Sequence, residues 1–195
     1  MPTPLGHSLA GYAFARLTRV RITRDERRLF VFAACIAVLP DALGESLAAL
    51  THTPTHGFAH SVAALLLVSV VVAGLGTRRG FRFWPVLLLV AAAYGSHLVA
   101  DLLRPEVSPD DGEQLFWPLR GAYAISLNIL PHIPNRGDFS GTAAFAWGIG
   151  AILLREMLVL GPLALLAHFI PPRIPAHAAA PPVSAPAASA DPEAR

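Results

Sequence analysis

The sequence predicts an all-α protein, a polytopic transmembrane bundle of about four to five helices, and three observations carry that prediction. Only 14% of its 195 residues are charged and 54% are hydrophobic, whereas soluble domains carry roughly 25% charged residues. The apolar stretches 29–50, 57–76 and 84–103 each approach the ~20 residues that a helix needs to cross a hydrocarbon core, and 143–170 is longer still. The basic residues, all arginine, crowd into short segments between these stretches, at 16–28 and at 78–82.

The elements follow in chain order. Helices are expected over 5–18, 29–50, 54–76, 84–103 and 143–170. Thr53 followed by Pro54 reads as an N-cap with proline at the first helical position, which sets His56 in the first turn of the third helix. Pro105, Pro109, Pro118, Pro131 and Pro134 rule out one continuous helix over 104–141, so that segment reads as an ordered surface loop. From Pro171 onward, PPRIPAHAAAPPVSAPAASADPEAR has too few large apolar residues to build a core and reads as a disordered Pro/Ala-rich tail. The division is therefore a membrane-embedded domain, 1–170, and a tail, 171–195.

Both arginine clusters belong on the cytoplasmic side by the positive-inside rule. Two helices lie between them, so the chain can leave and return, and the loop 104–141 falls outside the cytoplasm. The net charge of +2, with arginines that form no stripe interleaved with aromatics, argues for topology signals and against a nucleic-acid partner. Cys35 is the single cysteine, which excludes a disulfide framework and a cysteine zinc site. No cleaved signal peptide is expected, because the first arginine is Arg16 and the chain opens with Pro2, Pro4 and His7.

Ionisable residues inside membrane helices are costly unless paired and usually mark functional sites. Here they are His7, Asp41, Glu45, His56, His60, His97 and Asp101. Three pairs stand four residues apart, Asp41 with Glu45, His56 with His60 and His97 with Asp101, and this spacing shares one helix face. Imidazole and carboxylate are the ligand set for zinc or a similar divalent metal, supplied inward from several helices. Depth points the same way. At ~1.5 Å per residue, Asp41 lies about 20 Å from Arg28, His97 about 20 Å from Arg82, His60 roughly 24 Å from the end of its helix and His7 about 18 Å from Arg19. Four candidate ligands thus meet at one level in the outer half of the bilayer.

Plainer readings stand beside these. His7 alone suits an interfacial residue, Asp41 can end a helix after Pro40, and Asp101 can lie among headgroups. His52, His132, His168 and His177 read as loop, loop, helix-end and tail residues. Arg155 and Glu156 read as a local pair or a break in the last helix, and Trp84 and Trp117 as interfacial anchors.

The blocks PLGHSLAGYA at 4–13, LPD at 39–41, THGFAHS at 55–61, YGSHLVADLL at 94–103 and LFWPL at 115–119 together resemble the YdjM-like family of LexA-regulated, inner-membrane metal-dependent hydrolases. The resemblance covers roughly the first 120 residues. It implies a bacterial inner-membrane, multi-pass protein with metal ligands at His7, Asp41, His60, His97 and Asp101. Two departures weigh on the carry-over. Leu43 stands where the family often has a second aspartate, leaving Glu45 as a substitute, and Thr55 and Ala59 stand where histidine and threonine are expected, which makes His56 a weaker ligand than His60.

The function expected is a metal-dependent hydrolase with zinc as the expected ion, Asp41, Glu45 and Asp101 sharing the roles of ligand and general base. A site at headgroup depth points to membrane lipid or a lipid-linked ester or phosphoester as substrate. The alternatives are a non-catalytic metal-binding membrane protein or transporter and, with less support, a b-type haem protein with axial histidines.

Overall fold

The computed structural model describes residues 2–52, 56–103, 114–119, 129–130 and 140–177. Six helices and one small strand pair make up this part: α1 Pro4–Leu17, β1 Val20–Arg21, α2 Glu26–Thr51, α3 His56–Ala59, α4 Val62–Thr77, α5 Phe83–Leu102, α6 Thr142–His168 and β2 Ile174–Pro175. The expected all-α bundle is what forms.

Local chemistry sets the helix starts. Thr3 caps α1 by accepting from the Gly6 amide, with Pro4 at the first position, where its missing N–H costs nothing. Asp25 caps α2 through the Arg27 amide. Pro40 does not end α2, which runs through it to Thr51.

The third expected helix, 54–76, is broken in the structure, and the break matters for the site. The Ser61 hydroxyl donates to the Phe58 carbonyl and accepts from the Ala64 amide, so the chain stops at α3 and restarts as α4. The Val62 amide is satisfied instead by the Leu115 carbonyl at 2.8 Å. His60 therefore sits in a turn between two helices, and the four-residue spacing from His56 does not place both on one helix. Thr53 and Pro54, the expected cap, lie outside the described residues.

Among the described residues, α2, α5 and α6 are long and apolar enough to cross a membrane, and α4 is apolar but has 16 residues. Their outer faces are apolar: Leu66, Leu67, Val70, Val71 and Leu75 on α4 and Leu154, Leu158, Leu165 and Leu166 on α6 are all exposed. Lipid is the solvent that makes such a surface stable. The interior is lined by small residues, with Ala13, Ala15, Ala33, Ala37 and Ala93 fully buried, which lets the helices approach closely. Helix α1 lies against α2, α5 and α6. At Gly11 even a methyl group would meet the Ala37 Cβ at 2.4 Å, so glycine is what allows α1 and α2 to touch.

Both arginine clusters come to one end of the bundle, as the topology requires. There β1 pairs in parallel with β2, Val20 opposite Ile174. The Ala176 carbonyl accepts from the Arg82 amide, and Phe81 packs on the His177 ring. The segment expected as tail from Pro171 is thus packed over 171–177, with Ala176 fully buried. Backbone pairing with 19–21 holds it, and backbone pairing needs no large apolar side chains. The remainder, 178–195, lies outside the described residues.

Arg16 is more than a topology signal. Its guanidinium is buried, pairs with Glu26 at 2.9 Å and donates to the carbonyls of Ala167, His168 and Ile170, closing the C-terminus of α6. His168 stays at a helix end as expected, with its Nδ1 2.7 Å from the Tyr12 hydroxyl.

Candidate metal centre

His97 and Asp101 lie one turn apart on α5, both fully buried, and every other ligand candidate in the cluster is brought to them. His97 is oriented from behind. On α2 the Ala37 carbonyl accepts from His97 Nδ1 at 2.7 Å. A carbonyl can only accept, so Nδ1 carries the proton and the Nε2 lone pair faces the cluster.

His60 is held from the same helix. The Tyr94 hydroxyl, one turn before His97, donates to the Ala59 carbonyl at 2.6 Å and pins the α3 end. His60 Nε2 then lies 3.0 Å from His97 Nε2, 3.2 Å from Asp41 Oδ1 and 3.6 Å from Asp101 Oδ2. His97 Nε2 is 3.0 Å from Asp101 Oδ2 and 3.6 Å from Asp41 Oδ1. His7 enters from α1, its ring stacked on His97 at 3.8 Å between centroids and its Nε2 3.8 Å from Asp101 Oδ1.

Two overlapping groups result, His7 with His97 and Asp101, and Asp41 with His60 and His97. The chemistry fits a cation. Neither ring nitrogen of His7 and neither oxygen of Asp101 has a hydrogen-bond partner among the described residues, although all four atoms are buried. Unsatisfied buried groups of this kind cost several kcal/mol in a membrane interior. Zinc bonds of about 2.0–2.1 Å in a tetrahedron would put ligand atoms roughly 3.3 Å apart; the distances given above run from 3.0 to 3.8 Å, within groups whose ligand atoms all lie within 4.8 Å of one another.

Five of the residues singled out from the sequence, His7, Asp41, His60, His97 and Asp101, are therefore together. Glu45 is one turn beyond Asp41 on α2, exposed, and outside both groups. His56 opens α3, and its side chain lies outside the described residues.

The YdjM inner membrane protein family matches residues 1–171. The chain belongs to this family. The match and the apolar helices make it a multi-pass inner-membrane protein. No curated protein and no solved structure matches the chain. The family's span runs beyond the five sequence blocks and takes in α6, whose part in the site the blocks do not reveal.

That part is played by Glu156. It is fully buried, and instead of pairing locally or breaking α6 it reaches α1, accepting from the Thr3 amide at 2.6 Å and from the Thr3 hydroxyl. A carboxylate at a helix N-terminus is favoured by the helix dipole. Gly6 makes room, since a Cβ there would lie 2.8 Å from the Glu156 carboxyl carbon. His7 follows directly, its amide bonded to the Thr3 carbonyl, so Glu156 anchors the turn that carries it. The one signal in the sequence was an acidic residue in the middle of an apolar helix. Tyr94 and Ser61 had weaker signals, a position one turn before His97 and a serine after His60.

Proposed function

We propose that the protein is a membrane-bound, metal-dependent hydrolase acting on a lipid or lipid-linked ester or phosphoester at headgroup depth. The observation that carries this reading is the buried Asp101 carboxylate, without a hydrogen-bond donor among the described residues and faced by three imidazoles. His7, His60, His97 and Asp101 would hold the ion, with zinc the best match to this donor set. When bound, such an ion lowers the pKa of a coordinated water toward neutrality and polarises the scissile group.

The chain's own residues divide the remaining work. Asp101 and the three histidines are fully buried and suit ligation, whereas the Asp41 side chain is 25% exposed and stands at the rim. Its Oδ1 is engaged by His60, which leaves the second oxygen to take a proton from the nucleophile and return it to the leaving group. His97, fixed by the Ala37 carbonyl, keeps its lone pair inward throughout. With the basic end in the cytoplasm, the cluster would lie toward the extracytoplasmic headgroups. A b-type haem fits poorly, because Nε2 of His60 and of His97 are 3.0 Å apart, with carboxylates in the space that a porphyrin would need.

The test is metal analysis of the purified full chain, followed by assays for released phosphate and fatty acid from phospholipid and isoprenoid-phosphate substrates. Asp101→Asn should lose metal and turnover together, whereas Asp41→Asn should keep metal and lose turnover. Stoichiometric metal with no turnover on either substrate class would replace this reading with the non-catalytic metal-binding one.

A further inference from the structure

At the opposite end of the bundle from the His/Asp cluster lies a groove of about 620 Å³. It is lined by Phe32 of α2, Val72 of α4 and Val86 of α5 together with the exposed Arg24 and Arg28. The groove exists because α4 packs on α5 and α3 and leaves its flank facing α2 open. His177 of the packed 171–177 segment, seated on Phe81 with centroids 4.2 Å apart, closes the basic end.

We propose that this groove binds an anionic phospholipid of the cytoplasmic leaflet, its phosphate on Arg24 and Arg28 and an acyl chain along Phe32, Val72 and Val86. Charge and polarity choose the occupant. Among the described residues Arg24 meets no acidic side chain, and Arg28 meets only Asp25, at 3.4 Å in an exposed pair of little energetic weight. Two arginines on the cytoplasmic side are therefore available to a negative headgroup. Behind them the lining turns apolar, which a free phosphate would leave empty and an acyl chain fills. The groove lies at the other end of the bundle from the cluster, so this lipid is a bound structural or regulatory partner and not the hydrolytic substrate.

The experiment is native mass spectrometry of the purified full chain in detergent with equal amounts of phosphatidylglycerol and phosphatidylcholine of matched chain length. The wild-type protein should retain phosphatidylglycerol in preference. In the double variant Arg24→Gln, Arg28→Gln the retained ratio should fall about thirtyfold, the change expected from losing two basic residues at an anionic headgroup. Val72→Trp, which fills the groove, should lower retention of both lipids. The arginines are exposed, so the double variant keeps the fold, checked by unchanged helicity and metal content. A ratio unchanged by the double variant would overturn the headgroup assignment. Retention of both lipids at the wild-type level in Val72→Trp would overturn the acyl-chain assignment.

Discussion

Removing the His97 imidazole should lower both metal affinity and stability, because the ring serves two partners through two different nitrogens. Nε2 stands among His60, Asp41 and Asp101, while Nδ1 donates to the Ala37 carbonyl at 2.7 Å. Apparent binding free energies of about 10–16 kcal/mol for four-ligand zinc sites amount to about 3 kcal/mol per ligand, or roughly 100-fold in affinity. Loss of the His97 donor to the Ala37 carbonyl adds about 0.5–1.5 kcal/mol of destabilisation. His97→Ala should therefore weaken metal binding about 100-fold by ligand loss and also lower the thermal midpoint. His7→Ala is the matched comparison. Among the described residues the His7 ring nitrogens have no hydrogen-bond partner, so its removal should weaken metal without the second penalty. Metal per chain by mass spectrometry, a chelator competition and helicity by circular dichroism supply the three readouts. If His97→Ala keeps wild-type occupancy and a chelator midpoint within about threefold with helicity intact, the ligand assignment and the estimate built on it fall together.

Four further outcomes are expected. Glu156→Ala should destabilise the protein by about 2–4 kcal/mol, since it strips a charged acceptor from two Thr3 donors, and should lower metal retention through His7. Glu156→Gln, which keeps an acceptor, should recover most of that retention, and equal metal loss in both variants would refute the anchoring role. In a Cys35→Ala background, cysteines at Thr77 and Ser140 should react with impermeant reagents from opposite sides of the membrane; labelling from one side would overturn the topology. A chain ending at Ile170 should melt below a chain ending at His177, because only the longer one keeps the β1–β2 pairing, and identical melting would show that this pairing contributes nothing. His168→Ala should leave metal content unchanged in the same metal assay, since His168 pairs with Tyr12 at the other end of the bundle.

What the sequence alone determined is whatever depends on composition and regular spacing. Runs of apolar residues define the spans, the arginine clusters mark one end of the bundle, and the four-residue step from His97 to Asp101 survives because α5 is one unbroken helix. Even the common depth of His7, Asp41, His60 and His97 was legible, since rise per residue is constant in a helix. The tertiary structure decided everything that depends on one chain segment meeting another. Ser61 breaks a helix that apolar composition would continue, because Leu115 supplies the missing carbonyl. Glu45 shares the spacing of a ligand with Asp41 yet points outside the cluster, because only packing chooses which turn of α2 faces α5. The 171–177 segment is held by backbone pairing, which leaves no trace in side-chain composition. Glu156 finds Thr3 because Gly6 and α6 happen to be neighbours in space, 150 positions apart in the chain. Local periodicity is written into a sequence one turn at a time, whereas the partners of buried polar groups are set by which helices pack together, and no spacing along the chain encodes that.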